Sequence, residues 1–367
     1  MSQVRDIRQL LLVARQQGAS DLHLISGLPP ALRINGEMLL IKTDALTRER
    51  VAELTLSMLN ERQKAKLESE LELCASVFDA DAGRFRVTVY YHAGVPELAI
   101  RLCSTTIPDA SGLGLPPVVA DLARKPNGLV LVCGRNGVGK TTTLNFMVDL
   151  INRERRAKIL TIEDPVEFLH QPVRSVIVQQ EVYTDTLSFP RALVHALRQN
   201  PDVIVIGEMR ELESISTAIT AAETGHLVLA TLHTPNVMQA VERITGVFPP
   251  AQQRQVTLQF ATSIQGIICQ DLLPTADRSH RVLACEVLLA NDAVRNSIRE
   301  GKAHTLGNVL ATSRKVGMIS MDQSLLELYQ KGIITYDVAA TRMRDPSALQ
   351  GNNRTATGDT QRLVQDG

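Results

Sequence analysis

A lysine and a threonine set behind three glycines are suited to gripping a triphosphate. Gly134-Arg135-Asn136-Gly137-Val138-Gly139-Lys140-Thr141 places them at the spacing G-x-x-x-x-G-K-[ST]. The glycines let main-chain N–H groups turn inward around phosphate oxygens, and the helix that follows adds partial positive charge. The expected cradle is Gly134, Asn136, Gly137, Val138, Gly139, Lys140, Thr141 and Thr142. Lys140 is expected to reach the β- and γ-phosphates, and the Thr141 hydroxyl to hold Mg²⁺.

Two carboxylates follow at strand ends, where ligands gather in a parallel sheet. "PDVIVIGEMRE", 201–211, ends an apolar run in Glu208. Glu208 is expected near the Mg²⁺, touching it through a coordinated water. Alone it would read as a solvated glutamate; the phosphate loop in the same chain gives it a task. "ILTIEDPVEF", 159–168, repeats the pattern with Glu163 and Asp164. Glu163 suits orientation of an attacking water, while Asp164 alternatively caps the next turn. "AAETGHLVLATLHT", 221–234, brackets a strand with His226 and His233. A separation of seven puts them on opposite faces, a poor arrangement for a shared metal. His233, at the carboxyl end, is expected to face the nucleotide and sense its γ-phosphate. Arg86 and Arg101 read, from spacing alone, as surface arginines on strands.

These groups need a scaffold that gathers strand ends. "GLVLVCG", "KILTIEDP", "DVIVIGE" and "HLVLATLH" alternate with helical stretches between 118 and 290, the pattern of an α/β domain with a parallel sheet and helices on both faces. Residues 291–346 read as helical. The polar stretch 347–367 reads as a disordered tail. Ahead of the core, Ile7, Leu11 and Ala14, with Val4, recur at helical spacing. Short alternating runs and the Asn35-Gly36 turn signal then suggest a small α+β domain over 1–104. The Pro-, Gly- and Ser-rich 105–117 is the expected linker.

The bulk numbers fit this plan. The 367 residues are 44% hydrophobic and 21% charged, ordinary for a globular chain, and Lys plus Arg balances Asp plus Glu at 39 each. That balance argues against a dedicated nucleic-acid binder. No apolar run approaches the ~18 residues of a membrane span. Asp6 and the lack of an A-x-A site argue against a signal peptide. Five widely spaced cysteines without C-x-x-C are expected to be reduced thiols in a cytosolic protein.

"GEMRELESISTAITAAETGHLVLATLHT", 207–234, resembles the secretion-type ATPases of pili and secretion machines, and most of all their twitching-motility branch. The resemblance runs from about residue 5 to 340. "ILTIEDPVEF" is similar to the family's aspartate box, "VIVIGEMR" to its Walker B segment and "AAETGHLVLATLHT" to its histidine box. It implies a PAS-like N-terminal domain, a RecA-like core, ATP with Mg²⁺ as ligands and a homohexameric ring. The ring would work at the cytoplasmic face of the inner membrane, peripheral and not inserted, on a pilus platform protein and with no nucleic acid. Glu163 matches the catalytic glutamate and Glu208 the Walker B glutamate. By position in "RFRV" and "AIRL", Arg86 and Arg101 are similar to the family's arginines that approach the γ-phosphate, with Arg84 a rival for the first. "AVRNSIRE", 293–300, resembles the A-I-R-N-L-I-R-E motif of retraction ATPases, and the four-cysteine motif of assembly ATPases has no counterpart. Retraction is therefore the expected direction, with assembly or secretion as the alternative. Two departures stand out. Arg135-Asn136 and Val138 replace the usual Pro-Thr and Ser of the loop, and Ser297 replaces a leucine whose burial would be worth ~1–2 kcal/mol.

Overall fold

A computed structural model describes residues 6–34, 36–103, 107 and 109–350. Asn35 of the expected turn, Val4, part of the linker and the tail from 351 lie outside the described residues. The chain divides into two compact units. The first is 1–107 with 165–169; the second is 108–164 with 170–367.

The first unit opens with α1 (Ile7–Gln16), capped by the Asp6 side chain and burying Leu10, Leu11 and Ala14. Then come β1 (Asp21–Leu24), β2 (Ala31–Ile34), β3 (Glu37–Leu40), α2 (Arg48–Ser57), α3 (Glu61–Glu70), β4 (Glu72–Asp79), β5 (Gly83–His92) and β6 (Val95–Leu102). The six strands form one antiparallel sheet in the order β3-β2-β1-β6-β5-β4, the mixed architecture expected of a PAS-like domain. Alternation decides its faces. In β5, Phe85, Val87 and Val89 are fully buried, so Arg84 and Arg86 share the other face. The polar stretch 47–70 forms two helices, α2 and α3. Asn60 breaks it, closing a capping box with Gln63. The sequence reading named no strand over 72–79, because β4 is only half-buried and mixes charge with small residues.

The second unit runs α4 (Ala110–Leu113), α5 (Val118–Ala123), β7 (Gly128–Cys133), α6 (Lys140–Glu154), β8 (Lys158–Glu163), β9 (Val176–Glu181), α7 (Phe189–Ala196), β10 (Val203–Ile206), α8 (Leu212–Glu223), β11 (Leu227–Leu232), α9 (Val237–Gly246), α10 (Pro250–Ser263), β12 (Ile264–Pro274) and β13 (Arg281–Leu289). Its seven-stranded sheet has the order β13-β12-β7-β11-β10-β8-β9. All pairs are parallel except β12 with β13. The antiparallel edge differs from the wholly parallel sheet expected; consecutive strands joined by a short turn over 275–280 can only pair that way. Every residue of β7, β10 and β11 is buried, which explains their continuous apolar runs. Each fully buried Leu or Val there contributes roughly 1.5–3 kcal/mol relative to exposure.

The helical region follows as α11 (Asp292–Arg299), α12 (Leu306–Thr312), α13 (Met321–Gln330), α14 (Tyr336–Ala340) and α15 (Ser347–Gln350). Leu325, Ile334, Ala339, Met343 and Leu349 pack with Leu273 of β12 and Ala284 of β13. Buried Leu349 and its helical turn fall within the stretch expected to be a disordered tail. In α11 the core-facing residues are Val294 and Ile298. Ser297 is half-buried, and its hydroxyl accepts a hydrogen bond from Thr305 at 3.0 Å, so this chain has a polar contact at that position.

Candidate active site

Strand β7 ends at buried Cys133, and the chain enters the glycine loop. Gly134, Gly137 and Gly139 all have positive φ, at 141°, 77° and 91°. At Gly134 a Cβ would stand 2.7 Å from the Gln270 carbonyl oxygen and equally close to Val138. The loop therefore has no room for a side chain there. Val138, one of the departures from the family pattern, is buried beneath it. Arg135 and Asn136 are exposed, so they change the rim of the loop. Helix α6 begins at Lys140 with Gly139 as its left-handed N-cap. Thr141 and Thr142 stand half-buried in its first turn.

Lys140 is only 8% exposed. Its Nζ donates to the carbonyls of Gly134 and Arg135, both at 2.9 Å. Burial lowers its pKa, partly offset by Glu208. A third partner is His233 Nδ1 at 3.4 Å, while His233 Nε2 lies 2.8 Å from Glu208 Oε1. An ammonium can only donate and a carboxylate only accept. The ring is thus neutral, bare at Nδ1 and protonated at Nε2. Burial lowers the His233 pKa and Lys140 lowers it further, against the pull of Glu208. Arg210 Nε pairs with the same Glu208 oxygen.

Glu208 stands two residues beyond β10 on a segment stitched to β11. Met209 N–H donates to the Thr231 carbonyl at 3.1 Å, and the buried Thr231 hydroxyl donates to the Gly207 carbonyl. Glu163 is the last residue of β8. It is 6% exposed and accepts hydrogen bonds from Thr161 Oγ1 at 2.6 Å and Gln179 Nε2 at 3.2 Å, both on Oε1. Parallel pairing of β8 with β10, and a Gly207 N–H to Ile162 carbonyl bond of 2.8 Å, bring Glu163 beside Gly207. A cavity of about 20 Å³, room for one water, is lined by Thr141, Asn145, Thr161, Glu163, Val205 and Gly207 among others.

The structure thus brings Lys140, Glu208 and His233 into one hydrogen-bonded chain and sets Thr141 and Glu163 on one cavity. His226 lies apart, its Nδ1 2.9 Å from the Ala221 carbonyl. Arg86 and Arg101 belong to the first unit, where they are directly opposed on β5 and β6. Like charges so placed repel, and Asp21 on β1 relieves this by accepting from Arg101 Nε at 3.0 Å. Arg84 is engaged elsewhere, bonded to the Val166 carbonyl and to Ser76 Oγ. Sequence reasoning missed Arg210, Thr231, Gln179, Asn145 and His170. Only Arg210 carried a local signal, as a cation two residues after a strand-end carboxylate.

A family model described as type II/IV secretion system protein matches residues 2–352. The chain is 40% identical over 343 residues to a twitching motility protein of Neisseria gonorrhoeae, covering 94% of this chain and 92% of that one. It is 38% identical over 341 residues to the type IV pilus retraction ATPase PilT of Pseudomonas aeruginosa, covering 93% and 99%. The crystal structure of the pilus retraction motor PilT with bound ADP matches with a TM-score of 0.88 at 41% identity, over 94% of this chain and 99% of that one.

Proposed function

The chain belongs to the type II/IV secretion system protein family, and from that membership and the geometry of the site we propose that it is an ATPase driving retraction of type IV pili. The observation that carries the chemical part is the chain from Lys140 through His233 to Glu208, which joins the phosphate loop to a strand-end carboxylate. The direction of work follows the retraction ATPase relative and the retraction-motor structure, each matched over 99% of its length.

In this reading the loop N–H groups and Lys140 hold the phosphates of ATP. The Thr141 hydroxyl, with the Glu208 carboxylate reaching through a coordinated water, would suit Mg²⁺, an ion that favours oxygen donors and retains water. A bound Mg²⁺ would supply positive charge to the phosphates there. Glu163, fixed by two donors on Oε1, orients the attacking water and accepts its proton. His233 stays neutral, so it donates to Glu208 and adds no charge beside Lys140. Arg86 and Arg101 stabilise transition-state charge. The working form is a ring of six copies at the cytoplasmic face of the inner membrane. It is peripheral to that membrane and acts on a pilus platform protein. Among the described residues no helix is long and apolar enough to cross a membrane.

The test is a count of surface pili after deletion of the gene, with wild-type and Lys140→Ala copies restored separately. Excess pili without twitching, cured only by the wild-type copy, is the expected result. Bald cells would make the protein an assembly motor, and unchanged piliation would point to redundancy or to a system other than the pilus.

A further inference from the structure

We propose that His170 and Asn145, with Gln179, form a positioning bridge that sets the Glu163 carboxylate against the first turn of the phosphate-loop helix. This rests on the reading of Glu163 as the group that orients the attacking water.

His170 is buried, and its Nε2 lies 2.6 Å from Asn145 Oδ1. Asn145, also buried, spends its amide nitrogen on the Thr141 carbonyl at 2.8 Å. Its oxygen therefore faces the imidazole, which must donate through Nε2. Nδ1 is then the bare nitrogen, and it is buried with no hydrogen-bond partner among the described residues. The main-chain N–H of the same residue donates to Gln179 Oε1 at 2.9 Å. That contact leaves the Gln179 amide nitrogen facing Glu163 Oε1 at 3.2 Å. Two routes thus leave His170. The side chain leads through Asn145 to Thr141 on α6, and the backbone leads through Gln179 to Glu163 on β8. Both ends border the same small cavity.

A leucine would fill this space without stranding a ring nitrogen, and buried polar groups are ordinarily satisfied. An imidazole kept there with one orphaned atom is explained by what its other nitrogen holds. Fixing Asn145 fixes the turn that carries the Thr141 hydroxyl. Fixing Gln179 fixes which oxygen of Glu163 is tied down. The bridge sets a distance between two elements that share no backbone hydrogen bond.

The test compares His170→Leu, His170→Gln, Asn145→Asp and Glu163→Ala in the full chain. Each is measured for kcat, KM, affinity for a fluorescent ADP analogue and thermal midpoint. A glutamine reaches with an N–H where Nε2 was. An aspartate at 145 accepts from His170 but has no hydrogen for the Thr141 carbonyl. Expected are a fall in kcat of roughly 10- to 100-fold for His170→Leu and Asn145→Asp, the scale of misplaced reacting groups. ADP affinity stays within about threefold, and His170→Gln recovers most of the turnover. If His170→Leu proves unfolded, His170→Gln and Asn145→Asp still decide the matter. Wild-type kcat in Asn145→Asp, or a His170→Gln as slow as His170→Leu, overturns the bridge while an inert Glu163→Ala leaves the reading of Glu163 intact. Wild-type turnover in Glu163→Ala overturns both.

Discussion

His233 sits between a cation and a carboxylate, and the site holds it neutral. Its pKa is lowered by burial and by Lys140. Between that lowered value and the ordinary 6.5, the unfolded chain carries the proton and the native one does not. Stability and activity tied to this ring are therefore present above pH 6.5 and are lost as pH falls through the window. Turnover is expected to drop on going from pH 7.5 to 5.5, with a flatter acid limb in His233→Gln, checked by initial rates in constant ionic strength. His170 obeys the same sign on a larger scale. Burial outweighs nearby Asp149 and lowers its pKa to about 4. Unfolding is thus favoured progressively below pH 6.5, by roughly 2 kcal/mol at pH 5. Urea midpoints at pH 7 and 5 are expected to differ by that much more in wild type than in His170→Gln. The strand-end residues Glu163, Glu208 and His233 were legible in the sequence because a parallel sheet gathers its carboxyl ends whatever the details. His170, Asn145 and Gln179 were not, since they meet only after α6, β8 and β9 have packed.

At the scale of elements, Gly207 decides how closely β10 approaches β8. A Cβ there would come within 3.2 Å of Glu163 Cα and of the Ile162 carbonyl oxygen, both backbone atoms. Gly207→Ala is expected to push Glu163 aside by a few tenths of an ångström and to lower kcat about tenfold, given that ~1 Å of misplacement costs ~100-fold. Steady-state kinetics beside a thermal melt will show whether turnover suffers more than stability. The strongly periodic elements were readable for a physical reason. Strands buried on both faces, such as β7 and β11, are continuous apolar runs. Half-buried edge strands such as β4 and β9 escaped notice because solvent on one side dilutes the pattern.

On the scale of the whole molecule, the first unit carries the arginine pair. Arg101 is largely exposed even while bonded to Asp21. Such a pair contributes less than about 1 kcal/mol to stability. Arg101→Ala should therefore melt close to wild type and bind nucleotide within about threefold, yet turn over roughly 1,000-fold more slowly if it supplies transition-state charge. Unchanged kcat would leave Arg101 a surface residue, as its spacing alone suggested. The α+β character of this unit was legible from alternating runs. The inclusion of 165–169 in it was not, because that segment lies far along the chain from the rest of the unit.

The strand order of the second sheet also governs how the protein can be made. Strand β7 finds its neighbours in β11 and β12, the first of which begins at Leu227. At ~5–20 residues per second, the ribosome needs roughly 5–20 s after completing β7 to deliver even that partner. During this interval the nascent chain holds Gly-Leu-Val-Leu-Val-Cys without a ladder on either side. A fragment ending before Leu227 would contain the entire phosphate motif and still lack both strands that pair with β7.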